Sequence, residues 1–258
     1  VDDSIREKTL AQVLSNIYGK KNAGKLWYET FKRYLLSSDF TCADYDSTVF
    51  VRDGLLILLY VDDVVVIGRD AATADGFLER LRSRFDCTEP VKLEECTRES
   101  PLRFLTHEVY EDEQGRLHIA QELYVALMLE KWNCLKELKE LNQEHFKDVW
   151  LRDGFPLDPK AHTEFRGKIG SLLYLGNGTR PDLLAPICIA AQGSAKPTNR
   201  HMEAADELLR YTKYTRKRHL TWARSSKLGF DIIPLLNQFD ASYGMGNQPR
   251  SGYCLYVD

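Results

Sequence analysis

Fourteen residues, Leu55 to Gly68, read LLILLYVDDVVVIG, and they restrict the chain more than any other stretch. The run is rich in leucine and β-branched side chains, which favours extended structure, and it is shorter than the ~20 residues of a membrane helix. Two adjacent acids, Asp62 and Asp63, interrupt it. Burying an ionised carboxylate is costly, and a like charge beside it adds to the cost. The pair therefore needs a cation, or a turn that lifts it to the surface. A β-hairpin supplies the turn, with Leu55–Tyr60 as one strand, Val64–Ile67 as the other and Val61-Asp62-Asp63 as the bend. At a tight bend two neighbouring carboxylates can both reach a metal, and oxygen-only ligation suits Mg²⁺ or Mn²⁺. Carboxylates holding a pair of such ions are what two-metal nucleotidyl transfer requires. Asp also favours turns for local hydrogen-bonding reasons, so the pair alone leaves both readings open.

The remainder is an ordinary globular composition. The 258 residues are 43% hydrophobic and 28% charged, enough for one large or two modest domains with a full core. A net charge of −3 argues against a protein that simply coats nucleic acid. A nucleotidyl-transfer site needs only one positive groove opposite its acids. Cys42, Cys87, Cys96, Cys134, Cys188 and Cys254 show no zinc-site spacing, which points to a reduced, intracellular chain. No apolar run is long enough to span a membrane, and no secretory signal is present. The first residue is Val1 rather than Met, as in a piece processed or excised from a longer product.

Upstream of the hairpin, a glycine turn carrying Lys20, Lys21 and Asn22 feeds a helix expected from Ala23 to Ser37, with Trp27, Phe31, Tyr34 and Leu35 on one face. Lysines at a helix N-terminus oppose the macrodipole, so they are explained either by an anionic ligand or by simple solvation. A strand is expected over Ser47–Arg52 with a turn at Asp53-Gly54, and Asp70 reads as the N-cap of a helix to Arg84 with Phe77, Leu78 and Leu81 inward. Pro101 to Val109 and Leu117 to Ile119 read as two strands joined at Asp112-Glu113-Gln114-Gly115, followed by a helix over Gln121–Trp132. The end of Cys134 to Lys160 reads as a linker. Beyond it Phe165–Leu175 and Gly178–Leu183 begin two helices, with Pro181 suited to the first turn of the second, and a third runs from Asn199 to Thr212. Lys196 to Arg218 holds seven Lys/Arg against three Asp/Glu with Tyr211 and Tyr214 interleaved, which fits either a phosphate-backbone contact or a solvated helix face.

Tyr60-Val61-Asp62-Asp63, flanked by buried-strand sequence, resembles the Tyr-X-Asp-Asp signature of reverse transcriptases, and Val65-Val66-Ile67-Gly68 after it resembles the copia-type LTR retrotransposons in particular. Ile17-Tyr18-Gly19-Lys20-Lys21-Asn22-Ala23-Gly24-Lys25-Leu26-Trp27 is similar to the family's Leu-Tyr-Gly-Leu-Lys-Gln-Ala-Pro-Arg-x-Trp motif, with Asn22 in place of Gln and Gly24 in place of Pro. Phe104-Leu105-Thr106-His107-Glu108-Val109 resembles the Phe-Leu-Gly-Ile-Glu-Val strand, with Thr106 at the glycine, a departure that implies relaxed constraint. Gly170-Ser171-Leu172-Leu173-Tyr174-Leu175 and Thr179-Arg180-Pro181-Asp182 resemble the region that follows the palm.

What the resemblance implies is an α+β reverse-transcriptase palm over residues 1–120, a helical thumb or connection region over 121–222, and the truncated opening hairpin of an RNase H-like domain over 223–258. It implies RNA-directed DNA polymerase activity, with Asp62 and Asp63 holding Mg²⁺ or Mn²⁺, Tyr60 beside the primer terminus, and Lys20, Lys21 and Asn22 near nucleotide and template. Asp240 falls at the first RNase H carboxylate, in an incomplete site, and Lys92 is a candidate either for proton donation to pyrophosphate or for an ordinary surface lysine. The partners implied are an RNA template, a DNA primer, deoxynucleoside triphosphates and the rest of a retroelement polyprotein, with no membrane. The setting implied is intracellular, in cytoplasmic virus-like particles and also the nucleus. The family's third polymerase carboxylate stands in an Asp-Val-x-x-Ala-Phe-Leu context that this sequence lacks, since Asp2 and Asp3 have no such surroundings. The chain by itself is therefore expected to be a polymerase piece with little activity. The alternative from another class is a non-catalytic nucleic-acid-binding or assembly remnant.

Overall fold

Leu55, Ile57 and Leu59 alternate with Leu56, Leu58 and Tyr60, and the period of two drives the first three to one face of a sheet, where each is buried. The computed structural model describes residues 22–222 and, by backbone alone, the strands 235–242 and 250–257. The chain is α+β. It divides between Pro90 and Val91 into two compact units.

In the first unit, helix α1 (Ala23–Ser37) leads to an antiparallel sheet of β1 (Thr41–Cys42), β2 (Val49–Arg52), β3 (Leu55–Tyr60) and β4 (Asp63–Gly68) in sequential order, followed by helix α2 (Ala71–Arg84). Phe31 and Leu35 of α1, Phe77 and Leu81 of α2, and Phe50, Leu55, Ile57 and Leu59 of the sheet form one buried cluster. Each such side chain contributes about 1.5–3 kcal/mol on leaving water. Helix α1 stops because Asp39 turns left-handed (φ 63), and Arg52 donates to the Ser38 carbonyl at 2.9 Å beyond its end. Asp70 caps α2 as expected, accepting from the Thr73 amide at 2.8 Å. Leu78 is only half-buried, so the inward face of α2 is narrower than its periodicity suggests.

The second unit carries the sheet order β5 (Leu102–Phe104), β6 (His107–Glu111), β7 (Leu117–Ala120) and β8 (Leu220–Trp222), all antiparallel. Pro101 to Val109 is thus not one strand. Leu105 takes a positive φ of 57° and reverses the chain in a tight turn, with Phe104 paired to His107. The reversal reads as strand in the sequence because it holds no glycine or asparagine. Between β7 and β8 run helices α3 (Glu122–Lys131), α4 (Asp148–Arg152), α5 (Pro159–Gly178), α6 (Leu184–Ala191) and α7 (Asn199–Tyr214), around a core that includes Phe165, Leu172, Leu175, Leu183, Ile187 and Leu208.

The stretch read as a linker is packed structure. Phe146 and Leu151 are buried in that core, Pro156 bridges to Thr198, and the Leu157 amide donates to the Pro197 carbonyl at 3.0 Å. Thr106, a departure from the family glycine, is not idle. Its hydroxyl lies 2.6 Å from the Tyr174 hydroxyl and accepts from Gln121 at 3.0 Å, while Thr179 donates to the same Gln121 amide at 3.0 Å. Arg180 is almost fully buried, forks onto Asp182 and reaches Thr215 past the end of α7. The Thr-Arg-Pro-Asp string is therefore a structural clamp. Strands β9 (Leu235–Ser242) and β10 (Arg250–Val257) pair antiparallel, with Asp240 opposite Gly252, so Asp240 stands within the strand and not after it.

Candidate metal-binding turn

The hairpin forms where its sequence places it, with one correction. The bend is two residues, Val61 and Asp62. Asp63 belongs to β4 and pairs with Tyr60. The register runs on through Leu59 with Val64 and Ile57 with Val66 to Leu55 with Gly68. The side chain of Asp63 consequently shares a sheet face with Tyr60, Leu58 and Val65, away from the helix-packed core. Gly68 is required at the far end, since an added Cβ would stand 2.8 Å from Ala74 Cβ and 2.9 Å from the Asp70 carbonyl oxygen.

Val61 has φ 55, and its side chain is 60% exposed. A β-branched residue there is strained by about 1–3 kcal/mol, and packing of its own side chain does not repay that cost. The Trp27 indole Nε1 donates to the Val61 carbonyl at 2.6 Å. Trp27 is itself held by Phe31 and Phe85, each with ring centroid 5.5 Å away. No spacing rule in the sequence signals this contact across 34 residues; the only hint is an indole N–H that must find an acceptor.

Tyr60, Asp62 and Asp63 are exposed at the tip. Among the described residues neither carboxylate has an ion-pair or hydrogen-bond partner, and no group of three or more His, Cys, Asp or Glu is placed to hold a metal ion. Two open, adjacent carboxylates fit a hard divalent cation as part of its ligand set, with further oxygen ligands needed to complete it. Asn22, at the N-terminus of α1, is exposed and makes no side-chain cap. It precedes Trp27 by about 7.5 Å along the helix axis, so α1 brings its own N-terminal end toward the turn's neighbourhood. Lys20 and Lys21 lie outside the described residues, as do the side chains of β9 and β10, Asp240 included.

Other candidates resolve differently. Lys92 belongs to the second unit and is half-buried ahead of a single 3₁₀ turn, Leu93–Glu95. Of the seven cations between Lys196 and Arg218, four serve the fold. Lys213 donates to the carbonyls of Cys134 and Leu135, Arg210 to that of Asp206, Arg200 covers the Trp150 ring, and Arg218 binds the Tyr211 hydroxyl. The cluster missed by sequence reasoning is around His118, which lies 2.9 Å from both Asp112 Oδ2 and His219 Nε2 and stacks on Tyr110. Burial works against the Asp112 carboxylate, but hydrogen bonds from His118, the Arg116 amide and guanidinium and the Gln114 amide hold it well below the usual range. Burial, then the neighbouring His118, pushes His219 down. This cluster joins β6, β7 and β8, with His118 engaged at both ring nitrogens. Among the described residues no helix is long and apolar enough to cross a membrane.

Residues 2–141 match the family model described as Reverse transcriptase (RNA-dependent DNA polymerase). The chain is 32% identical over 215 residues to the retrovirus-related Pol polyprotein from transposon RE2 of Arabidopsis thaliana, and 29% identical over 215 residues to that from transposon RE1. Each alignment covers 81% of this chain and 14% of the relative, so the chain spans a small part of the polyproteins it matches. No solved structure matches it.

Proposed function

Because the chain belongs to the reverse transcriptase (RNA-dependent DNA polymerase) family, in its copia-type retrotransposon branch, we propose that the β3–β4 turn is the metal-binding corner of an RNA-directed DNA polymerase, acting on an RNA template, a DNA primer and deoxynucleoside triphosphates. The observation that carries this reading is the pair of exposed carboxylates, Asp62 and Asp63, with no partner among the described residues, at the tip of an otherwise apolar hairpin. When bound there, divalent ions such as Mg²⁺ lower the pKa of a primer 3′-hydroxyl and neutralise charge on the leaving pyrophosphate.

The chain's own residues supply the rest. Asp62 and Asp63 hold the cations, Tyr60 shares the outward face with Asp63 and orients the primer end, and Lys20, Lys21 and Asn22 before α1 meet the nucleotide and template. A third carboxylate comes from outside the described residues. Residues 1–120 are then part of a palm, residues 121–222 with helices α3 to α7 a thumb or connection region, and residues 223–258 with β9–β10 the opening hairpin of an RNase H-like domain with Asp240 as its first acid. The working protein is the longer polyprotein, inside the cell, in cytoplasmic particles and the nucleus.

Primer extension on an RNA template with Mg²⁺ and with Mn²⁺ tests the reading, using this chain alone and within its polyprotein. Extension is expected in the longer protein, abolished by Asp62→Asn, with little from the chain alone. Robust extension by the chain alone would contradict the incomplete ligand set. Extension that survives loss of both acids would overturn the site. Salt-dependent primer-template binding without extension in either form would select a non-catalytic binding module instead.

A further inference from the structure

We propose that Trp27 is the positioning residue of the metal-binding turn: its indole N–H holds Val61 in a left-handed backbone conformation, and so sets where Asp62 and Asp63 stand. The inference rests on the reading of those two acids as cation ligands.

Two-residue hairpin turns need positive φ at one or both central residues, and glycine, asparagine or aspartate normally provides it. Here positive φ falls on Val61 and not on Asp62, so the first turn position carries the least suitable residue type while the acid follows it. The conformation needs an external restraint. Exposure of the Val61 side chain excludes packing as that restraint, and the cross-strand pair of Tyr60 and Asp63 fixes only the ends of the turn. The Trp27 bond to the Val61 carbonyl acts on the strained peptide itself. Its direction is set because the indole is wedged against Phe31 of α1 and Phe85 beyond α2. Turning Val61 about its N–Cα bond to relieve φ would swing that carbonyl away from the indole and carry Asp62 with it. Helix α1 thus sets the geometry of the acids without touching either of them.

Trp27→Phe and Val61→Gly form a matched pair. Phenylalanine keeps an aromatic ring between Phe31 and Phe85 but removes the donor. Glycine adopts positive φ without steric cost, so the turn no longer depends on the donor. The full chain is titrated with Mn²⁺ by water-proton relaxation, with Asp62→Asn/Asp63→Asn as the site control, and the Asp62 and Asp63 amides are followed by NMR without metal. Loss of one hydrogen bond of ordinary net strength weakens Mn²⁺ binding about five-fold in Trp27→Phe. Trp27→Phe/Val61→Gly should recover most of that loss, and the two amide resonances should shift in the single variant and return in the double. A role confined to global stability would lower the unfolding midpoint in both Trp27 variants alike and leave Mn²⁺ affinity where it was, which overturns the inference. Mn²⁺ binding that ignores the two acids would sink the cation reading. The amide shifts then decide the positioning role alone, and resonances unmoved by Trp27→Phe would refute it.

Discussion

Replacing Arg180 by Leu should destabilise the helical unit by about 3 kcal/mol, and the figure can be built from its contacts. The guanidinium is 1% exposed and makes four bonds: 3.0 Å to the Thr215 carbonyl, 2.8 Å to the Thr215 hydroxyl, and 2.9 Å twice to Asp182. The Thr215 carbonyl keeps its bond from the Arg218 amide at 2.9 Å, so loss of the guanidinium removes one of its two donors, at about 0.5–1.5 kcal/mol. The Thr215 hydroxyl likewise keeps its own bond to the Tyr211 carbonyl and loses no more. Asp182 is 41% exposed and rehydrates, so its share is at the surface-pair level of about 0–1 kcal/mol. The shorter side chain leaves a partial cavity, worth about another 1 kcal/mol. With a urea slope of about 1–3 kcal/mol/M, the midpoint measured by circular dichroism should fall by about 1–3 M. Arg180→Lys should not rescue, because one ammonium cannot reproduce a planar fork. Asp182→Asn should cost much less than either. An unchanged midpoint in Arg180→Leu would refute the clamp, and an Asp182→Asn effect as large would show that the ion pair, and not the Thr215 bonds, carries it.

Asp70→Ala removes the cap on the Thr73 amide and should cost about 0.5–2 kcal/mol in a urea melt of the first unit, with Asp70→Ser recovering most of it. Gly68→Ala forces a Cβ against Ala74 and the Asp70 carbonyl, and should destabilise that unit by about 1–3 kcal/mol, read by the same melt. Burial pushes His107, His201 and His219 down from 6.5, so each binds fewer protons folded than unfolded as pH drops below that value. Stability of the second unit should therefore be full above about pH 6.5 and decline as pH falls through the lowered folded values, with urea midpoints at pH 7.5 and 5.5 giving the sign. The Asp112 contribution is lost only further down, below the ordinary 3.8 of an unfolded aspartate.

Periodicity located the elements whose packing is local and strong. The α1 and α2 limits and the β3 strand follow from spacing, because Phe31, Leu35, Phe77 and Leu81 lie at helical intervals and Leu55, Ile57 and Leu59 at alternate positions. The elements misread are those whose cause lies elsewhere in the chain. Leu105 and Val61 adopt positive φ without a glycine to signal it, held by a strand pair and a distant indole. The stretch before Asp158 looks like linker because Phe146 and Leu151 are its sparse apolar anchors, and their partners are tens of residues away. Strand β8 is three residues long and pairs with β7 about a hundred residues earlier, a distance no local pattern encodes. Of the candidate site, the residue types were legible at Tyr60 to Asp63; the length of the turn and the role of Trp27 were not.

Iron-directed cleavage reports where a hard divalent cation sits on the chain. Fe²⁺ replaces Mg²⁺ at hard oxygen sites and, with peroxide and ascorbate, cuts the backbone beside the ion. Cuts of the full chain should cluster between Tyr60 and Val64, be suppressed by excess Mg²⁺ and be absent from Asp62→Asn/Asp63→Asn. Cuts spread evenly along the chain, or concentrated at Asp112 and His118 while the hairpin stays intact, would contradict Asp62 and Asp63 as cation ligands.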